Sequence, residues 1–217
     1  MHKSVQKNTI IDVDGIDIEI NPNVFSSNLS KTSIYFANNI SIDNNSEVIE
    51  IGVGTGFLLL SLNNKYHNLK LFGTDNNPHA VSLCKRNMAK HNVTATIWKS
   101  NLFQDIPKTK FDYIIFNPPL LRVNFNGKLS HLEKSIFDNT DTTNNFLLQV
   151  SGFMHSGTYG FILATNRQNI RNSKRSEFTE YWLNKYNFLY KALSYYDVNY
   201  EIYSVYKFWK YNERSKI

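Results

Sequence analysis

Residues 10–20, "IIDVDGIDIEI", alternate apolar and polar positions around Asp14-Gly15, a pattern that predicts a β-hairpin closed by a two-residue turn. "NPNVFSSNLSKTSIYFANNI" follows, read as a turn and then a helix capped by Ser30, with Ile34, Ala37 and Ile40 as its apolar stripe. From residue 47 the periodicity changes to alternating strands and helices. "EVIEIG" (47–52) predicts a short buried strand that runs into a glycine-rich turn and a helix around 56–63, and "LKLFGTD" (69–75) predicts the next strand. In "NPHAVSLCKRNMAKHN" (77–92) Asn77 is the cap, Pro78 takes the first turn, and Val81, Cys84 and Met88 share a face. "TATIWKS" (94–100) and "FDYIIF" (111–116) are two more strands. Phe146, Leu147, Val150, Phe153 and Met154 mark an amphipathic helix, and "TYGFILAT" (158–165) a fifth strand. Residues 174–187 read as helix and 188–210 as two long, aromatic-rich strands.

Such alternation implies an α/β fold: a Rossmann-like, seven-stranded, mostly parallel sheet with helices on both faces. Residues 1–45 form a hairpin-and-helix preamble and 46–217 the core, in one compact domain overall. Ligands of these sheets bind beyond the carboxyl ends of the strands, where strand order reverses. The candidate chemistry falls there too.

Composition narrows the picture only a little. The 217 residues carry a net charge of +6, compatible with an acidic partner such as RNA. No apolar run is long enough to span a bilayer, and "MHKSVQKNTI" lacks the apolar core of a secretory signal. A single cysteine, Cys84, excludes an internal disulfide and suits a reducing compartment. The expectation is a cytoplasmic protein that does not engage a membrane. The histidines and Cys84 show no ligand spacing, so no metal is expected.

Glu50, Gly52, Gly54 and Gly56 spell E-x-G-x-G-x-G directly after the first core strand. Glycines there let the backbone approach a ligand closely, and the following helix offers unpaired N–H groups. A dinucleotide-binding turn wants its third glycine one residue later, where Phe57 stands, so that pattern fails. A merely tight strand–helix connection is the plain alternative. Asp75 ends the second core strand, where a carboxylate serves either as a ribose ligand or as a helix cap in competition with Asn77. Taken together, the strand acid, the three glycines and Asp75 resemble the S-adenosylmethionine site of class I methyltransferases. The resemblance covers roughly residues 47–165. It implies that Gly52, Gly54 and Gly56 approach the methionine moiety, that Glu50 orients that region, and that Asp75, beside Asn76, holds the ribose. The family usually has an acid after the third strand for the adenine amino group. Here Asn101 takes that place, an asparagine oxygen that still accepts, with the Leu102 N–H facing the ring and Asp105 as the nearest acid beyond.

"FDYIIFNPPLL" (111–121) then stops a strand on Asn117, Pro118 and Pro119. The plain reading is a proline stop. Two successive prolines also stiffen the loop and remove the N–H groups that would occupy nearby carbonyls. Asn117 and the Pro118 carbonyl are then free to accept both hydrogens of an –NH₂ group and to aim its lone pair. The stretch resembles the N-P-P-[YF] signature of amino-group methyltransferases: the release-factor glutamine enzymes of HemK/PrmC type and those that methylate adenine or guanine in nucleic acids. "NPNVFSS" resembles a further segment of the HemK-type enzymes, which implies that Phe25 borders the cleft. The expectation is that the helical domain with which release-factor enzymes grip their substrate does not precede it. Leu120 departs from the family's aromatic and forgoes the ~1–3 kcal/mol of base stacking. The expectation is therefore N-methylation of an amino or amide nitrogen on a peptide, protein or small molecule, with Pro119 and Leu120 at the substrate. RNA base methylation, transfer of another group, and a non-catalytic cofactor-binding partner subunit are the alternatives.

The 121–143 connection is long for an α/β loop, as substrate-binding loops are, and offers Asn124, Asn126 and His131 as substrate contacts; a plain surface role is the alternative for His131. Arg167, Arg171, Lys174 and Arg175 form a basic cluster. The aromatics of 178–211, with Lys207, Lys210, Arg214 and Lys216 nearby, suit an RNA-binding face, ordinary sheet packing or a homodimer surface.

Overall fold

The structure is a computed structural model that describes residues 8–26, 31–122, 127–138, 141–168, 176–198 and 201–211. Ser30, Asn124, Asn126, Arg171, Lys174, Arg175, Arg214 and Lys216 lie outside the described residues. The hairpin pairs β1 (Thr9–Val13) with β2 (Ile16–Ile20), and both turn residues have positive φ, +56° at Asp14 and +78° at Gly15. Positive φ at both positions matches the right-handed twist of the two strands. Helix α1 (Lys31–Asn38) buries Thr32, Ser33, Phe36 and Ala37.

The core then runs β3 (Glu47–Ile51), α2 (Phe57–Lys65), β4 (Lys70–Asp75), α3 (Pro78–Lys90), β5 (Ala95–Lys99) and β6 (Phe111–Phe116). Asn77 caps α3 by accepting the His79 N–H at 3.0 Å. Inside the long connection lie β7 (Leu121–Arg122), α4 (His131–Lys134) and β8 (Phe137–Asp138), which periodicity had not indicated. Next come α5 (Thr142–Val150), β9 (Met154–Thr165), α6 (Glu177–Lys185), β10 (Phe188–Val198) and β11 (Glu201–Lys210).

Seven strands form one sheet in the order β10-β11-β9-β6-β3-β4-β5. β5, β4, β3, β6 and β9 run parallel, and β11 is antiparallel to both of its neighbours. The central strand β3 sends Val48 to one face and Ile49 and Ile51 to the other, all buried, as a strand covered on both sides requires. The hairpin, α1, α2 and α3 cover one face; α5 and α6 cover the other. One expectation needs correction. Phe153 and Met154 do not extend α5: it ends at Val150, a short 3₁₀ turn spans Ser151–Phe153, and Met154 opens β9 opposite Phe111.

Candidate active site

Strand order reverses between β3 and β6, and a cleft of about 940 Å³ opens there at the carboxyl ends of the strands. Its floor is the turn between β3 and α2. The Gly52 and Val53 N–H groups both donate to the Thr74 carbonyl, at 2.7 and 3.0 Å, which ties the turn to the end of β4. Gly52, Gly54 and Gly56 have φ of +77°, +51° and +82°, a region in which L side chains are strained. A Cβ at Gly52 would project into open space, whereas one at Gly56 would lie 2.8 Å from Cys84 Sγ and 2.9 Å from Met88 Cε. Gly52 and Gly54 line the cleft and Gly56 does not. Gly56 is a glycine because α3 packs against the turn.

Glu50 sits at the end of β3, 4% exposed, and its Oε2 is buried with no hydrogen-bond partner. Burial pushes its carboxyl well above the usual carboxylate range and the nearby Asp75 charge adds to this, while the Leu59 N–H opposes both. Asp75 accepts the Gly54 N–H on Oδ2 at 3.0 Å and the Asn77 N–H on Oδ1 at 2.9 Å. Burial raises its pKa too, against those backbone donors and the charge of His131. Asn76 lies beside it on the cleft wall. After β5, Asn101 directs its side-chain NH₂ at Gln104 Oε1, 3.4 Å away, which leaves its amide oxygen as an acceptor. Leu102 has φ of +53° and buries its side chain against the second core, so its backbone borders the cleft. Asp105 is held through its N–H to Ser100 Oγ and lines only a shallower neighbouring hollow.

Across the cleft stand Asn117, Pro118, Pro119 and Leu120. Pro118 is buried; the Leu120 side chain leans on the first core cluster. The Asn117 NH₂ donates to Ser33 Oγ at 3.4 Å, which turns its Oδ1 away from Ser33. Phe25 lines the glycine side, its segment pinned by a 2.9 Å bond from Asn77 Nδ2 to the Asn23 carbonyl. His131 also lines the cleft, but on α4, close enough for its charge to act on Asp75. Sequence reasoning missed Ser33, Tyr196, Glu201 and Tyr203, which also line the cleft. The two tyrosines belong to the aromatic run that suited an RNA-binding face, sheet packing or a homodimer surface. Nothing in the sequence marks Ser33.

Residues 15–143 match the family model of the methyltransferase small domain, which is more than half of the chain. The chain belongs to that family. This methyltransferase is 32% identical over 152 residues to a Methanocaldococcus jannaschii protein named as a protein N5-glutamine methyltransferase, covering 68% of this chain and 75% of that one. It is 31% identical over 74 residues to the release factor glutamine methyltransferase of Geobacter sulfurreducens, covering 34% of this chain but only 26% of that one. The chain thus spans about a quarter of that enzyme's length. A methyltransferase from Pyrococcus furiosus shares the fold, with a TM-score of 0.65 at 17% identity, over 92% of this chain and 91% of that one.

The residues present suit a nucleoside cofactor that brings polar groups of its own. Glu50 Oε2 and Thr74 Oγ1 are buried without partners. The open space beside Gly52 leaves room for a ligand chain to approach the backbone there. Among the described residues no group of three metal-ligating side chains converges, and no helix is long and apolar enough to cross a membrane.

Proposed function

We propose that this methyltransferase transfers the methyl group of S-adenosylmethionine to the side-chain amide nitrogen of a glutamine in a protein substrate. Gly52, Gly54, Glu50, Asp75, Asn76, Asn101 and Leu102 would hold the cofactor, which supplies an electrophilic methyl group on a sulfonium. The observation that carries the proposal is the placement of Asn117 and Pro118 at the end of β6, with the Asn117 NH₂ turned to Ser33 and its oxygen left for the substrate. Asn117 Oδ1 and the Pro118 carbonyl accept the two N–H groups of the substrate amide. That grip orients the nitrogen, and it strengthens as positive charge grows on it. The surplus proton leaves to solvent after transfer, so no strong base is needed at the nitrogen. The names of the two relatives support glutamine as the acceptor. Leu120 supports it as well, since a flat amide needs no stacked ring. A cytoplasmic setting accords with the single buried cysteine.

The test is incubation of the chain with methyl-labelled cofactor and fractionated lysate. Label in a protein fraction, traced by peptide mass spectrometry to a glutamine side chain, is the expected outcome. Label confined to RNA or to small molecules would sink the glutamine reading.

A further inference from the structure

Ser33 and Asn117 are 84 positions apart in the chain, yet the fold sets them side by side. We propose that Ser33 is a positioning residue: it tethers the Asn117 side chain at the place from which its amide meets the acceptor nitrogen. This rests on the reading of Asn117 as the group that grips the acceptor nitrogen. The two ends of an asparagine amide are nearly equal in shape but opposite in hydrogen bonding. A half-turn about the last side-chain bond replaces an acceptor by two donors. Turned that way, Asn117 would point N–H at the N–H groups of the substrate, and the grip would become a repulsion.

Ser33 Oγ accepts from the Asn117 Nδ2 and so fixes where the amide sits; its hydroxyl could also donate to Oδ1 after a half-turn, and the N–H groups of the substrate select the acceptor end. The 3.4 Å separation is long for such a bond, and contacts of this kind tighten when a substrate fills the site. Ser33 is only 8% exposed, which leaves water little room to take over its role.

The helix that carries Ser33 is itself braced. The Tyr35 hydroxyl bonds Ser194 Oγ at 2.6 Å, and the Tyr35 ring stacks on Tyr196 at 5.1 Å. On the other side Lys65 Nζ donates to the Ala37 carbonyl at 3.1 Å and to Asn38 Oδ1 at 2.6 Å. Phe36 and Ala37 are fully buried between these anchors. A group on a fixed element holds a catalytic side chain more sharply than one on a loop. The preamble thus contributes to the chemistry and does more than cover the sheet.

The test compares Ser33→Ala and Ser33→Thr with the unaltered chain by two measurements. In a nitrogen–proton correlation spectrum without cofactor or substrate, the Asn117 side-chain amide should shift in Ser33→Ala and stay near its original position in Ser33→Thr. In methyl transfer, Ser33→Ala should lower kcat by about threefold to tenfold, the worth of one hydrogen bond. KM and cofactor affinity should hold, and Ser33→Thr should restore turnover. An Asn117 signal unmoved by Ser33→Ala, unchanged kcat, or equal losses in both variants would overturn the proposal. Should the unaltered chain methylate no glutamine, the functional reading fails alone, because the spectrum still decides the contact.

Discussion

At Asn117 the group next to the nucleophile is an uncharged amide, so its effect is geometric and electrostatic and not that of a base. Asn117→Ala removes one of two preorganised acceptors, a loss comparable to deleting one member of an oxyanion hole. Turnover should therefore fall by about 10²–10³-fold. Cofactor affinity, measured by calorimetry, should change little, because Glu50, Asp75 and the glycine turn are untouched. Glu50 carries a second residue-scale prediction. Its pKa in the fold is raised well above 4.5 by burial and by Asp75. The associated stability is therefore fully present below pH 4.5 and is lost as pH rises through the folded value. Glu50→Gln stays neutral at every pH, and its oxygen can still accept the Leu59 N–H. Its melting temperature should exceed that of the unaltered chain at neutral pH, by about 2–4 °C for each kcal/mol of relieved charge burial. That advantage should shrink steadily toward acid. A pH-independent difference would show that the Glu50 charge does not burden the fold.

The turn between β3 and α2 separates two jobs that one glycine-rich motif suggests together. Gly56→Ala meets Cys84 and Met88 at under 3 Å and keeps a positive φ; overpacking and strain together should cost about 2–5 kcal/mol. Gly52→Ala meets nothing within 4 Å, so only the φ strain of about 1–2 kcal/mol remains. Its methyl group, however, enters the cleft. Denaturant melts should thus rank Gly56→Ala as the more damaging to stability, while cofactor titrations rank Gly52→Ala as the more damaging to binding. The sequence made the turn visible because strand, glycines and helix are adjacent, and the same locality exposed Asp75, Asn77 and the Asn-Pro-Pro stop. Errors arose where the pattern ran on across a boundary, as at Phe153 and Met154, whose apolar spacing continued α5 although the chain had already turned into β9. β7 and β8 are two residues each, too short to show a period. The Ser33–Asn117 contact depends on how α1 docks, and no local signal encodes that.

Across the whole molecule the preamble and the sheet share one interior. Val13, Ile16, Ile18 and Ile20 of the hairpin lie in the same buried cluster as Leu58, Leu62 and Met88. Asn87, on α3 and 0% exposed, fastens the hairpin polar side to the core. Its Oδ1 accepts the Glu19 N–H at 2.8 Å, and its Nδ2 donates to the carbonyls of Glu19 at 3.0 Å and Thr55 at 2.9 Å. One side chain therefore joins the hairpin, α3 and the glycine turn. Arg86 adds a bidentate ion pair to Glu19, Nη2 to Oε1 at 2.9 Å and Nε to Oε2 at 3.0 Å. Asn87→Ala leaves three backbone groups without partners and should destabilise the chain by about 2–4 kcal/mol. If the preamble is part of one cooperative unit, signals from the hairpin and from the tryptophans beyond residue 46 should still melt at a single, lowered midpoint. Should the hairpin melt first while the tryptophans keep their original midpoint, the preamble would be a separable layer. The grip of Ser33 on Asn117 would then be lost before the fold.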